Sequence, residues 1–299
     1  MLIEPLYAKM KTGNRESLLD TLLPNAIREF GPEFSRFADC GAGVGETSVI
    51  YSALLEKHLL ETDNHNFSVV CFEPLPENIY QLKKASQKHA GISVRPVAVS
   101  NFNGKSTFSI PSRMSSVENE AWIPGTSFDG HLGQSGSEAI EVDVIRLDEE
   151  DSFDFLKLDL QGGELAALHG LGKKLREVKV AYAETQLLSK SDTVNFLRDN
   201  GFVCFFDRLQ FGFHNSISWI ALERLDALGL KISHFNLPAK FGIPFYCVGY
   251  FDSSKDPVDT DGNLHANVLN DLTGIGLEYL QTDVLAINSA VASRLLKYL

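Results

Sequence analysis

The stretch FADCGAGVGETSVI, residues 37–50, decides how the chain is read. Phe37–Cys40 is an apolar run of strand length, Gly41–Gly45 is a glycine-rich turn, and TSVIYSALLEKHLL continues as a helix. Glycines in such a turn let the backbone pass close beneath a ligand, and the first amides of the helix point into the turn. The spacing is G-x-G-x-G, which differs from the G-x-G-x-x-G of dinucleotide-binding turns. Asp39 stands two residues before the first glycine. An acid there suits a ligand carrying an ammonium group and opposes a pyrophosphate.

The same unit recurs along the chain. Ser68–Phe72 runs into Glu73-Pro74 and a helix through ENIYQLKKASQKHA, and Ile92–Val99 reads as the third strand. Phe155–Asp159 leads to a helix through GELAALHGLGKKL, Val178–Ala183 leads to another through SDTVNFLRDNG, and Phe202–Phe206 follows. Strands alternating with helices at this spacing specify a parallel sheet covered on both faces, and right-handed crossovers make it doubly wound. The expected fold is therefore α/β, with a mostly parallel, seven-stranded sheet and helical additions at both ends. Residues 244–251 are the candidate for the last strand, with Ser216–Leu222 as competitor. Residues 15–30 have helical spacing, with Pro24 expected to kink or split them. The expected organisation is one domain over 1–252 and a helical extension over 253–299, with helices near 268–281 and 284–298. Residues 110–140 are Ser-, Gly- and Pro-rich without a core period, and are expected to form a substrate loop containing Trp122, Phe128 and His131.

Composition narrows the partners. The 299 residues carry 27 basic and 39 acidic side chains, a net charge of −12 that repels phosphate backbones and anionic membranes. No run of 18 apolar residues is present to span a bilayer. Cys40, Cys71, Cys204 and Cys247 form no C-x-x-C pair and sit in apolar runs, as buried thiols do in a reducing compartment. A cytoplasmic protein that binds neither nucleic acid nor membrane is expected. No pair of histidines has the H-E-x-x-H spacing of a zinc site.

Glu73, at the end of the second strand, is placed to accept hydrogen bonds from both hydroxyls of a ribose. Lys157 and Asp159 fall on one face of the fourth strand; they are either a mutual ion pair bracing the sheet or part of a site. Glu164, which opens the next helix, is read as compensating the helix dipole.

These residues resemble class I S-adenosylmethionine-dependent methyltransferases, with a Rossmann-like sheet, and the FkbM family in particular. The motifs that carry the resemblance are DCGAGVG at 39–45, FEPLPEN at 72–78, AVSNFNG at 98–104, RLD at 146–148 and LKLDLQGGE at 156–164. It covers about residues 35–210. The chain departs from the family pattern at Gly43, where Asn is common, and at Gln161, where an acid is usual. The resemblance implies S-adenosyl-L-methionine as cofactor and methyl transfer to the oxygen of a sugar or small secondary metabolite. Asp39, Gly41, Gly43, Gly45, Glu73, Pro74, Ser100 and Asn101 are the cofactor-binding candidates. Asp159 is the candidate base, orienter or metal ligand, with Glu184 and His131 as further catalytic candidates. Because Gln161 replaces an acid, transfer without a metal is expected. The expected partner is a small-molecule or sugar acceptor, with a homodimer as an option. Two alternatives stay open at this point: an NAD-linked oxidoreductase on a similar sheet, and a cofactor-binding homologue without chemistry.

Overall fold

The computed structural model describes residues 17–59, 66–110, 131–132, 138–187, 192–213, 227–236, 245–251, 264–274 and 277–299. The chain begins with α1 (Leu18–Phe30), β1 (Arg36–Cys40), α2 (Glu46–Leu59), β2 (Ser68–Phe72), α3 (Pro76–Ser86) and β3 (Ile92–Arg95). It continues through β4 (Ala98–Val99), β5 (Gly104–Ile110), β6 (His131–Leu132), β7 (Glu138–Ile145), β8 (Phe155–Leu158), α4 (Glu164–Leu171), β9 (Val180–Gln186) and α5 (Asp192–Asp199). It ends with β10 (Phe202–Phe213), β11 (Leu230–Asn236), β12 (Phe245–Phe251), α6 (Ala266–Gly274), β13 (Leu277–Asn288) and α7 (Ser289–Leu295). Two compact units result, Leu23–Ala183 and Met1–Leu22 with Glu184–Leu299.

In Leu23–Ala183 the strand order is β9-β8-β1-β2-β3, all parallel. Helices α2, α3 and α4 make the crossovers, as a doubly wound sheet requires. Central strands of such a sheet are covered on both faces, which is why RFADC, SVVCF and FLKL read as nearly continuous apolar runs. Below β1 and β8 the rings of Phe34, Phe37, Tyr51 and Phe155 pack with centroids 5.0–5.9 Å apart, a spacing that favours edge-to-face and tilted pairs. Register places Asp39 of β1 between Cys71 of β2 and Lys157 of β8. The loops after β1, β2 and β8 therefore leave from one edge of the sheet.

A second, four-stranded sheet in this unit has the order β4-β7-β5-β6. Its small core consists of Ala98, Val142 and Val144, with Phe108, Leu132 and Ile140 packed against them. The expected third strand, 92–99, is thus two strands. Ile92–Arg95 pairs with β2, and Ala98–Val99 turns away to pair with β7. Pro96, which has no backbone N–H to give to a ladder, lies between them.

In the other unit β11-β12-β10-β13 form an antiparallel array. β9 leaves the parallel strands at Ala183, and just past its end Leu187 donates its N–H to the carbonyl of Leu280 on β13, 2.8 Å away. The five parallel strands together with β13 and β10 supply the seven expected, and β11 and β12 are additional. Helix α1 runs unbroken through Pro24. Asp207 of β10 caps it from a distance: its carboxylate accepts from the Ser17 hydroxyl and from the amides of Leu18 and Leu19.

Three expectations change. The tail is not a helical extension, because 277–288 is a strand registered against β10 from Phe202↔Asn288 to Phe213↔Leu277. The strand expected at 202–206 continues to Phe213. Residues 245–251 do form an antiparallel strand, but one added outside β10; the strand beside the end of β9 is β13. The competitor, Ser216–Leu222, lies outside the described residues, as does most of 110–140, including Trp122 and Phe128.

Candidate functional site

The glycine turn after β1 is fixed from three sides. The amides of Gly41 and Ala42 both donate to the Phe72 carbonyl at the end of β2, at 3.0 and 3.1 Å. The amide of Asp159, past the end of β8, donates to the Cys40 carbonyl at 3.0 Å. At Gly41, φ is +78°, and a Cβ would lie 1.8 Å from the Asp159 carbonyl oxygen, so the close passage of the two loops admits no side chain. At Gly45, φ is +95°, and a Cβ would lie 2.5 Å from Leu82 of α3, which seats the start of α2 against α3.

These loops frame a cleft lined by Gly41, Gly43, Phe72, Glu73, Pro74, Val97, Ala98, Val99, Ser100, Phe108, Leu132, Asp159, Leu160, Gln161 and Gly163. It opens where ligands enter doubly wound folds, beyond the carboxyl ends of the strands. The small sheet supplies one apolar wall through Val99, Phe108 and Leu132. Among the described residues the lining contains two carboxylates and no basic side chain.

The two carboxylates differ in surroundings. Glu73 is 4% exposed; its Oε2 accepts the amide of Gly43 and its Oε1 that of Leu75, both at 2.9 Å. Burial pushes its pKa up to about 7, although these amides and the Asn78 side chain favour the charged form. Asp159 has a 42% exposed side chain. Its Oδ2 lies 3.3 Å from Lys157 Nζ, and its Oδ1 accepts from Gln161 Nε2 at 3.2 Å. Gln161 has φ +51°, the only non-glycine residue with positive φ among the described residues. Glu164 holds that loop: its Oε1 accepts the amides of Leu160 and Gly162 at 2.8 and 3.2 Å. It is thus a loop clamp as well as a first-turn acid, and burial raises its pKa.

Behind the cleft Asp39 is fully buried. It accepts from the Ser48 hydroxyl at 2.6 Å and from Lys157 Nζ at 3.1 Å. The ammonium facing Asp39 is therefore the protein's own, and Asp39, expected as a cofactor-binding residue, is absent from the cleft lining. Burial alone would lower the Lys157 pKa, but Asp39 and then Asp159 outweigh it, so the pKa is raised and Lys157 stays protonated. Cys40 and Cys71, beside this network, are buried thiols whose pKa burial raises, for Cys71 to about 12, so neither is a nucleophile.

Of the remaining sequence candidates, Gly41, Gly43, Pro74 and Ser100 line the cleft, and Gly45 supports it from the α2–α3 contact. Asn101 is exposed and absent from the lining; among the described residues its carbonyl accepts from Arg146 at 3.4 Å. Glu184 is a half-buried residue on the part of β9 that belongs to the other unit. His131 is on β6 opposite Ser109, and its side chain lies outside the described residues. The sequence reading missed Val97, Phe108, Leu132, Leu160 and Gly163. The apolar pair Phe108 and Leu132 becomes visible only when β5 and β6 are recognised as paired strands.

With the geometry in place, comparison with known proteins is informative. Residues 39–204 match the methyltransferase FkbM domain. A search of curated proteins finds no match. Among solved structures the chain is similar to the precorrin-6y C5,15-methyltransferase of Geobacter metallireducens GS-15, at 11% identity and TM-score 0.35, covering 84% of this chain and 97% of that one. It is also similar to a SAM dependent methyltransferase of Aquifex aeolicus, at 13% identity and TM-score 0.27, covering 80% and 93%. A third is the fibrillarin pre-rRNA processing protein of Methanococcus jannaschii, at 12% identity and TM-score 0.30, covering 83% and 87%.

Proposed function

The chain belongs to the FkbM methyltransferase family, and on that premise we propose that it methylates a hydroxyl oxygen of a sugar or small secondary metabolite. S-adenosylmethionine is its methyl donor. The observation that carries the oxygen reading is Asp159: a half-exposed carboxylate in the cleft, held by Lys157 and Gln161, with no basic residue in the described lining.

The residues present fit this donor. A cleft with two carboxylates and no cation favours a ligand bearing sulfonium and ammonium charges over one bearing a pyrophosphate. Glu73 is assigned to the ribose hydroxyls. The amides of Gly43 and Leu75 and the Asn78 side chain leave it capacity to accept from an incoming hydroxyl, since a carboxylate offers about four lone-pair sites. Gly41 and Gly43 would pass beneath the methionine part, and Pro74 and Ser100 would face the adenine. When bound, the donor supplies a methyl group on a positively charged sulfur, whose departure needs no covalent help from the protein.

The chain's own task is then positional. Phe72, Val97–Val99 and Phe108 exclude water, and the glycine turn and Asp159 loop hold the reacting atoms in line at near-attack distance. As the new C–O bond forms, the hydroxyl proton passes to the Asp159 carboxylate.

The test is transfer of a 13C-labelled methyl from S-adenosylmethionine to a panel of methyl glycosides, polyols and phenols, with alkaline treatment of the product. A methyl ether stable to base is expected. Methyl on nitrogen or carbon, or a base-labile ester, would overturn the hydroxyl assignment while leaving the family membership intact.

A further inference from the structure

We propose that Lys157 is a positioning residue that serves as the cleft's built-in cation, holding Asp159 and the glycine turn from the place a divalent ion would otherwise take. The inference rests on the reading of Asp159 as the residue that faces the acceptor hydroxyl.

Three oxygens surround Lys157 Nζ: Asp39 Oδ1 at 3.1 Å, Asp159 Oδ2 at 3.3 Å and the Gly41 carbonyl at 3.5 Å. They come from three different points of the cleft floor: the end of β1, the loop after β8 and the first glycine of the turn. Hard divalent ions are held by such oxygen sets, at about 2.0–2.6 Å. Two carboxylates and a carbonyl converging on one point make a cation site, and in this chain a side chain fills it. The lysine is 12% exposed and Asp39 is fully buried, so the charge cannot be supplied by solvent. Tyr51 also faces the ammonium electrostatically, from α2. Glu73 and Glu164 are not among the three oxygens around Nζ; the amides they accept are those of Gly43, Leu75, Leu160 and Gly162.

The ammonium also does what a metal could not do as well here. It is carried on a strand, so it fixes the Asp159 carboxylate from behind with one oxygen, while Gln161 fixes the other. A single positive charge leaves the two carboxylates with a net negative charge beside a cationic donor, whereas a divalent ion would cancel it. Position and charge are thereby set by the fold, and turnover becomes independent of metal supply.

The experiment uses Mn2+ as probe, followed by electron paramagnetic resonance on the full chain after dialysis against EDTA. Wild type is expected to show no tight Mn2+ binding. Lys157→Met, which leaves the three oxygens without their cation, is expected to bind Mn2+ at least about tenfold more tightly. It is also expected to melt at a higher temperature when Mn2+ is present. Asp39→Asn/Lys157→Met removes the buried pair together and is expected to lose the Mn2+ site. It should also bind S-adenosylhomocysteine about three- to tenfold more weakly, because the Gly41 carbonyl and the Asp159 carboxylate then lose the ammonium that joins them.

Recovery of Lys157→Met folded only with Mn2+ present supports the proposal. A folded Lys157→Met with wild-type Mn2+ affinity overturns it. So does a double variant with unchanged S-adenosylhomocysteine affinity, which reports even if the single variant cannot be obtained folded. Tight Mn2+ binding by wild type would also overturn it. None of these readouts needs an acceptor, so their failure leaves the assignment of Asp159 standing. Full turnover by Asp159→Asn removes that assignment without touching the Mn2+ result.

Discussion

The two acidic corners of the cleft solve the same physical problem in opposite ways. At the end of β2, Glu73 is buried and bonded by neutral dipoles, the amides of Gly43 and Leu75 and the Asn78 side chain, so burial lifts its pKa to about 7. At the ends of β1 and β8, Asp39 and Asp159 share the fixed charge of Lys157, and Asp39 is buried completely. Amide dipoles alone leave a buried carboxylate poised between its two states, whereas a buried cation offsets part of the cost of burying a charge beside it. The first corner suits a group that binds by accepting hydrogen bonds near neutral pH, the second a group that must stay in one place.

The sharpest way to break this contrast is to remove charge at the second corner without changing shape. Asp159→Asn keeps the amide bond to the Cys40 carbonyl and the side-chain volume, but can no longer take up a proton. On the hydroxyl acceptor found by the labelling panel, kcat should fall by about 10²–10⁴-fold, the usual range for a positioned base. S-adenosylhomocysteine affinity should change far less. A kcat within a few-fold of wild type would return Lys157 and Asp159 to the role of a sheet brace.

At the first corner the corresponding loss is one of binding. Glu73→Ala removes the acceptor for a diol and also frees the Gly43 amide. A bidentate bond to a carboxylate contributes about 2–3 kcal/mol, so calorimetric titration should show S-adenosylhomocysteine bound about 30–150-fold more weakly. Equal affinity in mutant and wild type would remove Glu73 from the cofactor site and end the comparison.

How much of this was legible in the sequence depended on which contacts decide each element. The parallel strands β1, β2 and β8 are short, followed at once by a glycine or an acid, and paired with neighbours of the same kind, so local pattern and tertiary structure agree. The same local logic exposed Glu73 and Asp159 as strand-end acids. β13 is different. LEYLQTDVLAIN is buried at Leu280 and at Val284–Ile287 and runs straight into SAVASRL, so its apolar residues show no alternation to separate a covered strand from a helix. Its state is set by pairing with β10, some 75 residues earlier in the chain, which no local window contains. The role of Asp39 was hidden for a related reason. The sequence showed an acid beside a turn, but only the β1–β8 register shows that Lys157 reaches it.

The pH response separates the corners next. Because the Glu73 pKa is raised in the folded state from 4.5 to about 7, its stabilising share favours the protonated form. That share is fully present below about pH 4.5 and is lost as pH rises through 7. Binding runs in the opposite direction, since the ionised carboxylate is the acceptor of the ribose hydroxyls. S-adenosylhomocysteine affinity should therefore be flat above pH 8 and fall by roughly tenfold between pH 8 and pH 6. Glu73→Gln should lose that dependence in both stability and binding. A wild-type affinity that is level from pH 8 to pH 6 would show that the titration of Glu73 is not coupled to the cofactor.

The smallest effect is expected where the linear motif and the cleft disagree. Ser100 and Asn101 are adjacent in AVSNFNG, and sequence alone treats them alike, yet only Ser100 lines the cleft. Ser100 is 5% exposed, and its amide is tied to the Ile145 carbonyl at 3.0 Å, which continues the β4–β7 pairing and turns the residue inward. Its carbonyl is in turn covered by Gly170 of α4, where a Cβ would approach to 2.2 Å, so the position is locked on both sides. The chain leaves this clamp at Asn101, whose side chain is exposed. The bond it makes to Arg146 uses the backbone carbonyl and survives any substitution that keeps the backbone in place. Asn101→Ala should therefore behave as an ordinary surface change, within about 0.5 kcal/mol in stability and about twofold in S-adenosylhomocysteine affinity. A loss of tenfold or more by calorimetry would show that the loop after β4 closes over the adenine when the cofactor binds. The cleft wall would then extend beyond Ser100, to the residue that the motif alone had already marked.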